Sequence, residues 1–362
     1  MPEFSHIRLK DYLESLHRSS VEVVGVARLG EPIENADLKG YGYGSPLRIE
    51  YDVSGRRCSA VLETVSAGPF GHEHMADRAQ ILLWDHHAFN DLPGHVRSLD
   101  VGGFRSAGDL VSLGNVDEFF VLMEFAEGRP YADDLVRIRD RGECNQIDAA
   151  RCDALARYLV NIHKVRGPDP GLYVRRIREL VGHGECIMGL ADSYPACYQF
   201  IDAALLERIE KKCVEWRWKL KKLTHRLRQV HGDFHPWNLL FREGIDFSVL
   251  DRARGEWGEP ADDVTALAFN FFFFSLQRHG RLEGAFEMLW RRFWDRYLEQ
   301  SGDGELLEVT APFFAFRGLV MASPVWYRNL PENVRRKLFT FVENVLAEER
   351  FEPERANAYA EA

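Results

Sequence analysis

Asp233, Asn238 and Asp251 are the residues of this chain whose types and spacing most directly allow chemistry. The first two lie in the stretch His231-Gly-Asp-Phe-His-Pro-Trp-Asn238, and the third ends the apolar run Phe247-Ser-Val-Leu250. A carboxylate in a tight His-Gly-Asp turn can orient a hydroxyl and accept its proton. An asparagine five residues on, and a second carboxylate thirteen residues after that, supply the hard oxygen ligands that Mg²⁺ prefers. A hydroxyl poised beside a metal-neutralised polyanion is what phosphoryl transfer requires. Taken alone, His-Gly-Asp is only a turn and Asp251 only a strand-end cap. The combination with Pro236 and with Gly258-Glu-Pro-Ala-Asp-Asp-Val264 downstream is far more specific than either part.

These residues need elements that hold them. From about Val21 to Phe125 the signals are strand-like and rich in turns. Val21 to Ala27 reads as a strand, and Leu47 to Val53 runs through Ser54-Gly55 into a strand over Cys58 to Val65, a hairpin. Residues His72 to Phe89 suit a helix, and Phe119 to Phe125 reads as a buried strand. After Gly128 the pattern turns helical: Ile147 to Lys164, Leu205 to Arg228, Thr265 to Arg278, Leu282 to Gln300, Thr310 to Val320 and Glu332 to Arg350.

Several pieces, in this order, resemble the aminoglycoside phosphotransferase and choline kinase family, the small-molecule branch of the protein-kinase-like fold. Val121-Leu-Met-Glu-Phe-Ala-Glu-Gly128 is similar to its interlobe strand and hinge. Leu155-Ala-Arg-Tyr-Leu-Val-Asn-Ile-His163 is similar to the helix ending in Leu-x-x-Ile/Leu-His. His231 to Asn238 resembles the catalytic loop, and Leu250-Asp251 with Gly258 to Val264 resembles the metal-binding Asp and the segment after it. The resemblance implies an α+β, two-lobed fold, with an antiparallel-sheet nucleotide-binding lobe over residues 1–125 and a mainly helical catalytic and substrate lobe over 126–362. It also implies ATP and Mg²⁺ as cofactors, with the adenine against the Glu124-Phe125-Ala126 backbone. Asp233 would meet the acceptor hydroxyl, Asn238 and Asp251 would hold the metal, Asp263 would brace the catalytic loop, and His231 would anchor backbone. The turn Gly40-Tyr-Gly-Tyr-Gly-Ser45 lies between two expected strands, where Gly42 and Gly44 could let backbone N–H groups approach phosphates.

One position departs from the pattern. The family places a lysine on the third strand, where it contacts the α- and β-phosphates and pairs with a helix glutamate. Here the matching strand is Ala60-Val-Leu-Glu-Thr-Val65, which puts Glu63 at that position, near Glu73. A carboxylate there repels the triphosphate. The favoured remedy is a substitute cation, Lys39 beside the glycine-rich turn or Arg48 on the preceding strand, which period-two alternation could aim at the cleft. Otherwise Glu63 helps to bind a metal or a cationic substrate, or nucleotide is bound poorly.

Composition sets wider bounds. The 362 residues are 46% hydrophobic and 28% charged, with a formal net charge of −10. That balance argues against nucleic acid as a partner, whose binding needs a basic footprint. An acidic surface suits a cationic acceptor; Trp257, Trp326 and Tyr327 are candidate rings for one, and Glu259 and Asp262 candidate charges. The six cysteines form no Cys-x-x-Cys pair and read as free thiols. The N-terminus lacks a signal-peptide pattern, and the apolar run Ala266 to Leu276 is too short to span a bilayer, so a cytoplasmic protein without a membrane partner is expected. His72, His74, His86 and His87 read as a polar helix face, and the basic residues from Lys211 to Arg228 as a solvated one. The expected function is ATP- and Mg²⁺-dependent transfer of phosphate to a hydroxyl of an aminoglycoside-, amino-alcohol- or sugar-like molecule. The alternatives are a catalytically impaired pseudokinase-type binding protein and transfer of AMP; the oligomeric state is left open.

Overall fold

Period-two alternation builds the first sheet. In the strand Leu47–Val53, Ile49 and Tyr51 turn to one face and are buried, while Arg48 and Glu50 turn to the other. A computed structural model of the chain describes residues 5–29, 44, 46–252 and 254–361. In it this strand lies between Val21–Arg28 and Arg56–Leu62 in an antiparallel three-stranded sheet. The second hairpin turns through Ser54 and Gly55, both at positive φ, which matches the twist of the flanking strands. A helix over His6–His17 lays Leu9 and Leu13 on Val21, Ile49 and Tyr51 to form a small core. Two inward leucines are too thin a pattern for that helix to be read from sequence.

The described residues form two compact units, Met1–Met123 and Glu124–Ala362. Three expectations for the first stretch need correction. The third strand ends at Leu62, so Glu63 lies just past it. The helix expected from His72 is Met75–Asp91; Asp77 accepts a hydrogen bond from the His74 N–H at 2.8 Å and fixes the start there, which leaves Glu73 in the preceding turn. Phe119 to Phe125 is not a buried strand. Phe120, Leu122 and Phe125 are 92%, 90% and 90% exposed, and no described strand pairs with this segment. An apolar run becomes a strand only when another backbone satisfies its N–H and C=O groups.

The second unit is mainly helical. Gln146–His163, Pro260–His279, Gly284–Ser301, Ala311–Ala322 and Glu332–Ala347 lie close to the expected spans; Tyr131–Arg141, Pro170–Gly182 and Ile187–Ser193 are additional. Pro260–His279 is the central helix. Every residue from Pro260 to Leu276 is buried, Phe271 to Phe274 included. Its neighbours cover all sides, so an apolar stripe on one face would not suffice. No described helix is long and apolar enough to cross a membrane.

The helix expected over Leu205 to Arg228 stops at Leu220. A short turn over Thr224–Arg226 then leads to Arg228–Gln229, which pairs with Trp257–Gly258. Arg226 is therefore buried and not on a solvated face. It grips Glu259 through two bonds of 2.7 and 2.8 Å and reaches Asp303 at 2.8 Å. Replacing Arg226 by Ala leaves the fully buried Glu259 without its cation, and a loss of about 3–5 kcal/mol is expected. Denaturant unfolding of the variant beside the parent measures it; a loss below about 1 kcal/mol would sink this account of the pair.

Candidate active site

The loop from His231 to Asn238 is hung from one carboxylate. Asp263, in the first turn of the central helix and fully buried, accepts from the backbone N–H groups of His231 and Gly232, each at 2.7 Å. The His163 Nε2 lies 3.1 Å from the same carboxylate, and its Nδ1 is 2.7 Å from the Tyr297 hydroxyl. Burial works to raise the Asp263 pKa, but these donors and the nearby imidazoles outweigh it and hold the pKa below the usual carboxylate range. The bracing expected of Asp263 is thus made by backbone hydrogen bonds. Gly232 sits at φ +86°, a left-handed conformation that side chains rarely adopt, and this aims Asp233 away from the brace.

A short hairpin carries the other two residues. Leu239–Phe241 pairs with Phe247–Val249, and the Leu250 N–H donates to the Asn238 carbonyl at 2.9 Å. Asn238 and Asp251 therefore leave the same end of the hairpin. The Asn238 Nδ2 donates to the Asp233 carbonyl at 3.1 Å, so Oδ1 is the atom it has to offer a cation. Asp251 is exposed and at φ +55°, an unusual conformation for a residue with a side chain. No ion pair to Asp251 is present among the described residues. Two uncommitted hard oxygens suit Mg²⁺, which keeps waters and substrate phosphates in its shell and needs no protein cage. Among the described residues no group of three or more His, Cys, Asp or Glu could hold a metal ion.

Three side chains converge on Asp233. Its Oδ1 lies 2.6 Å from the Arg317 Nη1 and 3.0 Å from the Arg254 Nη1. Its Oδ2 lies 3.5 Å from the His235 Nε2, and because His235 Nδ1 accepts from the Trp237 N–H, that Nε2 carries the proton. Burial works to raise the Asp233 pKa; Arg317, His235 and Arg254 outweigh it and hold the pKa far below the usual carboxylate range. Arg317 also bonds Asp262 at 3.0 Å, and Arg176 takes the other Asp262 oxygen at 2.6 Å. None of these three arginines stands out in the sequence. Arg176 and Arg317 sit on helices remote in the chain; only Arg254, three residues past Asp251, was close enough to a motif to be found.

Other candidates lie elsewhere. Glu259 and Asp262 are not free charges for a cationic acceptor: Glu259 is consumed by Arg226 and the Tyr173 hydroxyl at 2.8 Å, and Asp262 by two arginines. Trp326 is exposed and Trp257 lies in a strand pair. Tyr327 packs on Phe273 and Trp237, with ring centres 5.0 and 6.4 Å away, and burial pushes its hydroxyl up to about 12. In the first unit, Gly44 bridges to Val65, and a side chain there would come within 2.5 Å of the Thr64 carbonyl and 3.0 Å of the Glu63 Oε1. Glu63 thus stands beside the backbone expected to approach phosphate. Arg48 pairs with Glu50 at 2.8 Å on the sheet face that also carries Val61. Gly42 and Lys39 lie outside the described residues. Glu124, Phe125 and Ala126 belong to no strand, and the first two are exposed.

A family model described as "Phosphotransferase enzyme family" matches residues 100–297, more than half of the chain. No curated protein matches it. Among solved structures, a glucosamine kinase in complex with glucosamine, ADP and inorganic phosphate is 21% identical, over 56% of this chain and 56% of its own, with a TM-score of 0.35. The chain therefore spans little more than half the length of that kinase. A Plasmodium vivax ethanolamine kinase is 11% identical over 97% of this chain and 82% of its own, at a TM-score of 0.34. An amicoumacin kinase is 14% identical over 91% of each chain, at a TM-score of 0.42.

The depressed carboxylates set a pH dependence. Asp233 and Asp263 have folded pKa values below their unfolded ones, so each stabilises the fold above the unfolded value and ceases to as pH falls through the folded one. The contribution of these two carboxylates should be level down to about pH 5 and fall below about pH 4, while His231, whose pKa burial lowers, adds a decline of its own as pH falls through its unfolded value. Asp233→Asn should begin lower at neutral pH, because Arg317 loses one of its two carboxylate partners, and then fall less steeply. Denaturant titrations across this range check both slopes, and parallel curves for variant and parent would count against the assignment to Asp233.

Proposed function

This chain belongs to the phosphotransferase enzyme family, and from that membership we propose that it uses ATP and Mg²⁺ to phosphorylate a hydroxyl of a small molecule. The observation that carries the reading is the grouping of Asp233, Asn238 and Asp251 by one braced loop and one hairpin. A divalent cation held through the Asn238 Oδ1 and Asp251 would neutralise phosphate oxygens of the nucleotide. Asp233 would present its Oδ2, which lies 3.5 Å from the His235 Nε2, to the acceptor hydroxyl, because Oδ1 already takes two guanidiniums at closer range. The acceptor oxygen bonds to the γ-phosphorus as the bond to the β–γ bridging oxygen breaks, ADP leaves, and the proton passes to Asp233. A carboxylate held so far below its usual pKa is a weak base. Its contribution is to align the hydroxyl and receive the proton late, once that oxygen has shared its electrons with phosphorus.

A second reading, a binding protein with little turnover, draws on Glu63. Its carboxylate stands beside Gly44, where the family's lysine would otherwise meet phosphate. Transfer of AMP instead of phosphate is a third outcome, which the mass of the product distinguishes. In a thermal-shift experiment, ATP with Mg²⁺ should stabilise the protein, and Asp251→Ala should lose the Mg²⁺-dependent part. Asp233→Asn should keep that stabilisation and lower turnover by about 10²–10⁴-fold on an accepted hydroxyl compound. No stabilisation by ATP with Mg²⁺ in the parent protein would defeat the kinase reading.

A further inference from the structure

We propose that the acceptor carries an anionic group, a carboxylate or a phosphate, close to the hydroxyl that is phosphorylated, and that Arg254 takes it. This rests on Asp233 being the residue that meets the acceptor hydroxyl.

Charge around Asp233 is unevenly matched. Three guanidiniums, Arg176, Arg254 and Arg317, pair with two carboxylates, Asp233 and Asp262. Arg317 is fully engaged at its ends: Nη1 bonds Asp233 and Nη2 bonds Asp262. Arg317 alone already joins the two acids, so Arg254 is the surplus cation. Only its Nη1 is used, on Asp233 at 3.0 Å and on the Gly232 carbonyl at 3.3 Å. Its Nε is buried without a hydrogen-bond partner, as is the Arg317 Nε, but both terminal nitrogens of Arg317 are taken by carboxylates. A largely buried cation with unmet N–H groups is costly unless an anion completes it.

Position makes that anion part of the acceptor. Arg254 holds Oδ1 of the same carboxylate whose Oδ2 is left for the hydroxyl, so an acceptor on Oδ2 would come close to its guanidinium. Arg254 and Arg317 both lie over the Phe316 ring, their guanidinium carbons 5.0 and 4.6 Å from its centre. A guanidinium seated on a ring offers its edge to a carboxylate or phosphate. The Arg254 side chain keeps 18% of its surface, against 5% for Arg317, so it is the one a ligand can reach. A cationic acceptor would meet two like charges here, while Asp262 and Glu259, which could have offset them, are consumed by arginines.

The test uses four related probes with the full chain, ATP and Mg²⁺: glycerol, ethanolamine, glycerate and glycerol 3-phosphate. Thermal shift with ATP and Mg²⁺ is read on the same samples. At least one anionic probe should be phosphorylated with a KM about tenfold or more below that of glycerol. Arg254→Gln should raise that KM about ten- to a hundredfold while leaving the KM for ATP unchanged, and Arg254→Lys should restore part of the loss. Arg208→Gln, on the surface far along the chain, serves as the control. Preference for ethanolamine overturns the proposal, as does an Arg254→Gln variant whose acceptor KM is unchanged, whatever happens to kcat. If none of the four is phosphorylated, calorimetric binding of glycerate and inorganic phosphate decides: binding that Arg254→Gln abolishes supports the anion site, and no binding to the parent overturns it. Loss of the ATP response with anion binding intact would instead defeat the kinase reading alone.

Discussion

The site depends on the hydrogen bonds that Asp263 accepts from the His231 and Gly232 backbone. A loop with a glycine at positive φ has many conformations open to it, and two charge-assisted bonds from a buried carboxylate leave few. Once His231 and Gly232 are fixed, Asp233 has a set direction and its carbonyl can receive the Asn238 amide. The hairpin begins there, so the position of Asp251 follows from the same pair of bonds through the Leu250 to Asn238 contact.

Asp263 can do this because of what flanks it. Successive helix residues are turned by about 100°, so Asp262 and Asp263 face different partners from the same turn. Asp263 takes backbone N–H groups and His163; Asp262 takes Arg176 and Arg317. Both carboxylates sit at a helix N-terminus, where the macrodipole favours negative charge. The rest of that helix is buried among phenylalanines, which anchors the two acids to the core of the unit. Buried ion pairs of this kind are seldom more stabilising than apolar side chains of equal volume. Their effect is positional: Arg317, bonded to both Asp262 and Asp233, ties the Asp233 carboxylate to the central helix through a second route.

Much of this site was legible because its parts are close in sequence. His231 to Asn238 and Gly258 to Val264 carry fixed spacings, and the hairpin between them is short enough that its register follows from its apolar residues. Five helices of the second unit lie close to their expected spans, but Tyr131–Arg141, Pro170–Gly182 and Ile187–Ser193 were not read, and the helix expected to reach Arg228 stops at Leu220. The arginine network was not read either, because arginine marks surface and interior alike until its partner is known, and the partners lie 84 residues apart for Arg317 and Asp233. Arg226 was misread for the same reason: neighbouring lysines and arginines suggested a solvated face, while Glu259, 33 residues away, draws it inside. Phe119 to Phe125 failed differently. Its apolar residues state a preference for burial, but strand pairing belongs to two segments, and one of them cannot announce the other.

The distribution of charge bears on what such a site accepts. Of the two cations that could replace the lysine expected at Glu63, Lys39 lies outside the described residues and Arg48 is paired with Glu50. Beside Asp233 the balance is reversed, with guanidiniums in excess. For a polycationic acceptor this is the wrong arrangement, since acidic side chains would serve it and Asp233, Asp262 and Glu259 are all paired with arginines. For an anionic acceptor it answers a real difficulty. An anionic acceptor and nucleotide phosphates would repel each other as they approach, and a fixed cation next to the reacting hydroxyl would lower that repulsion. The same cation would repel an ammonium group, so on the proposed reading one residue at this place would both admit one class of acceptor and exclude the other.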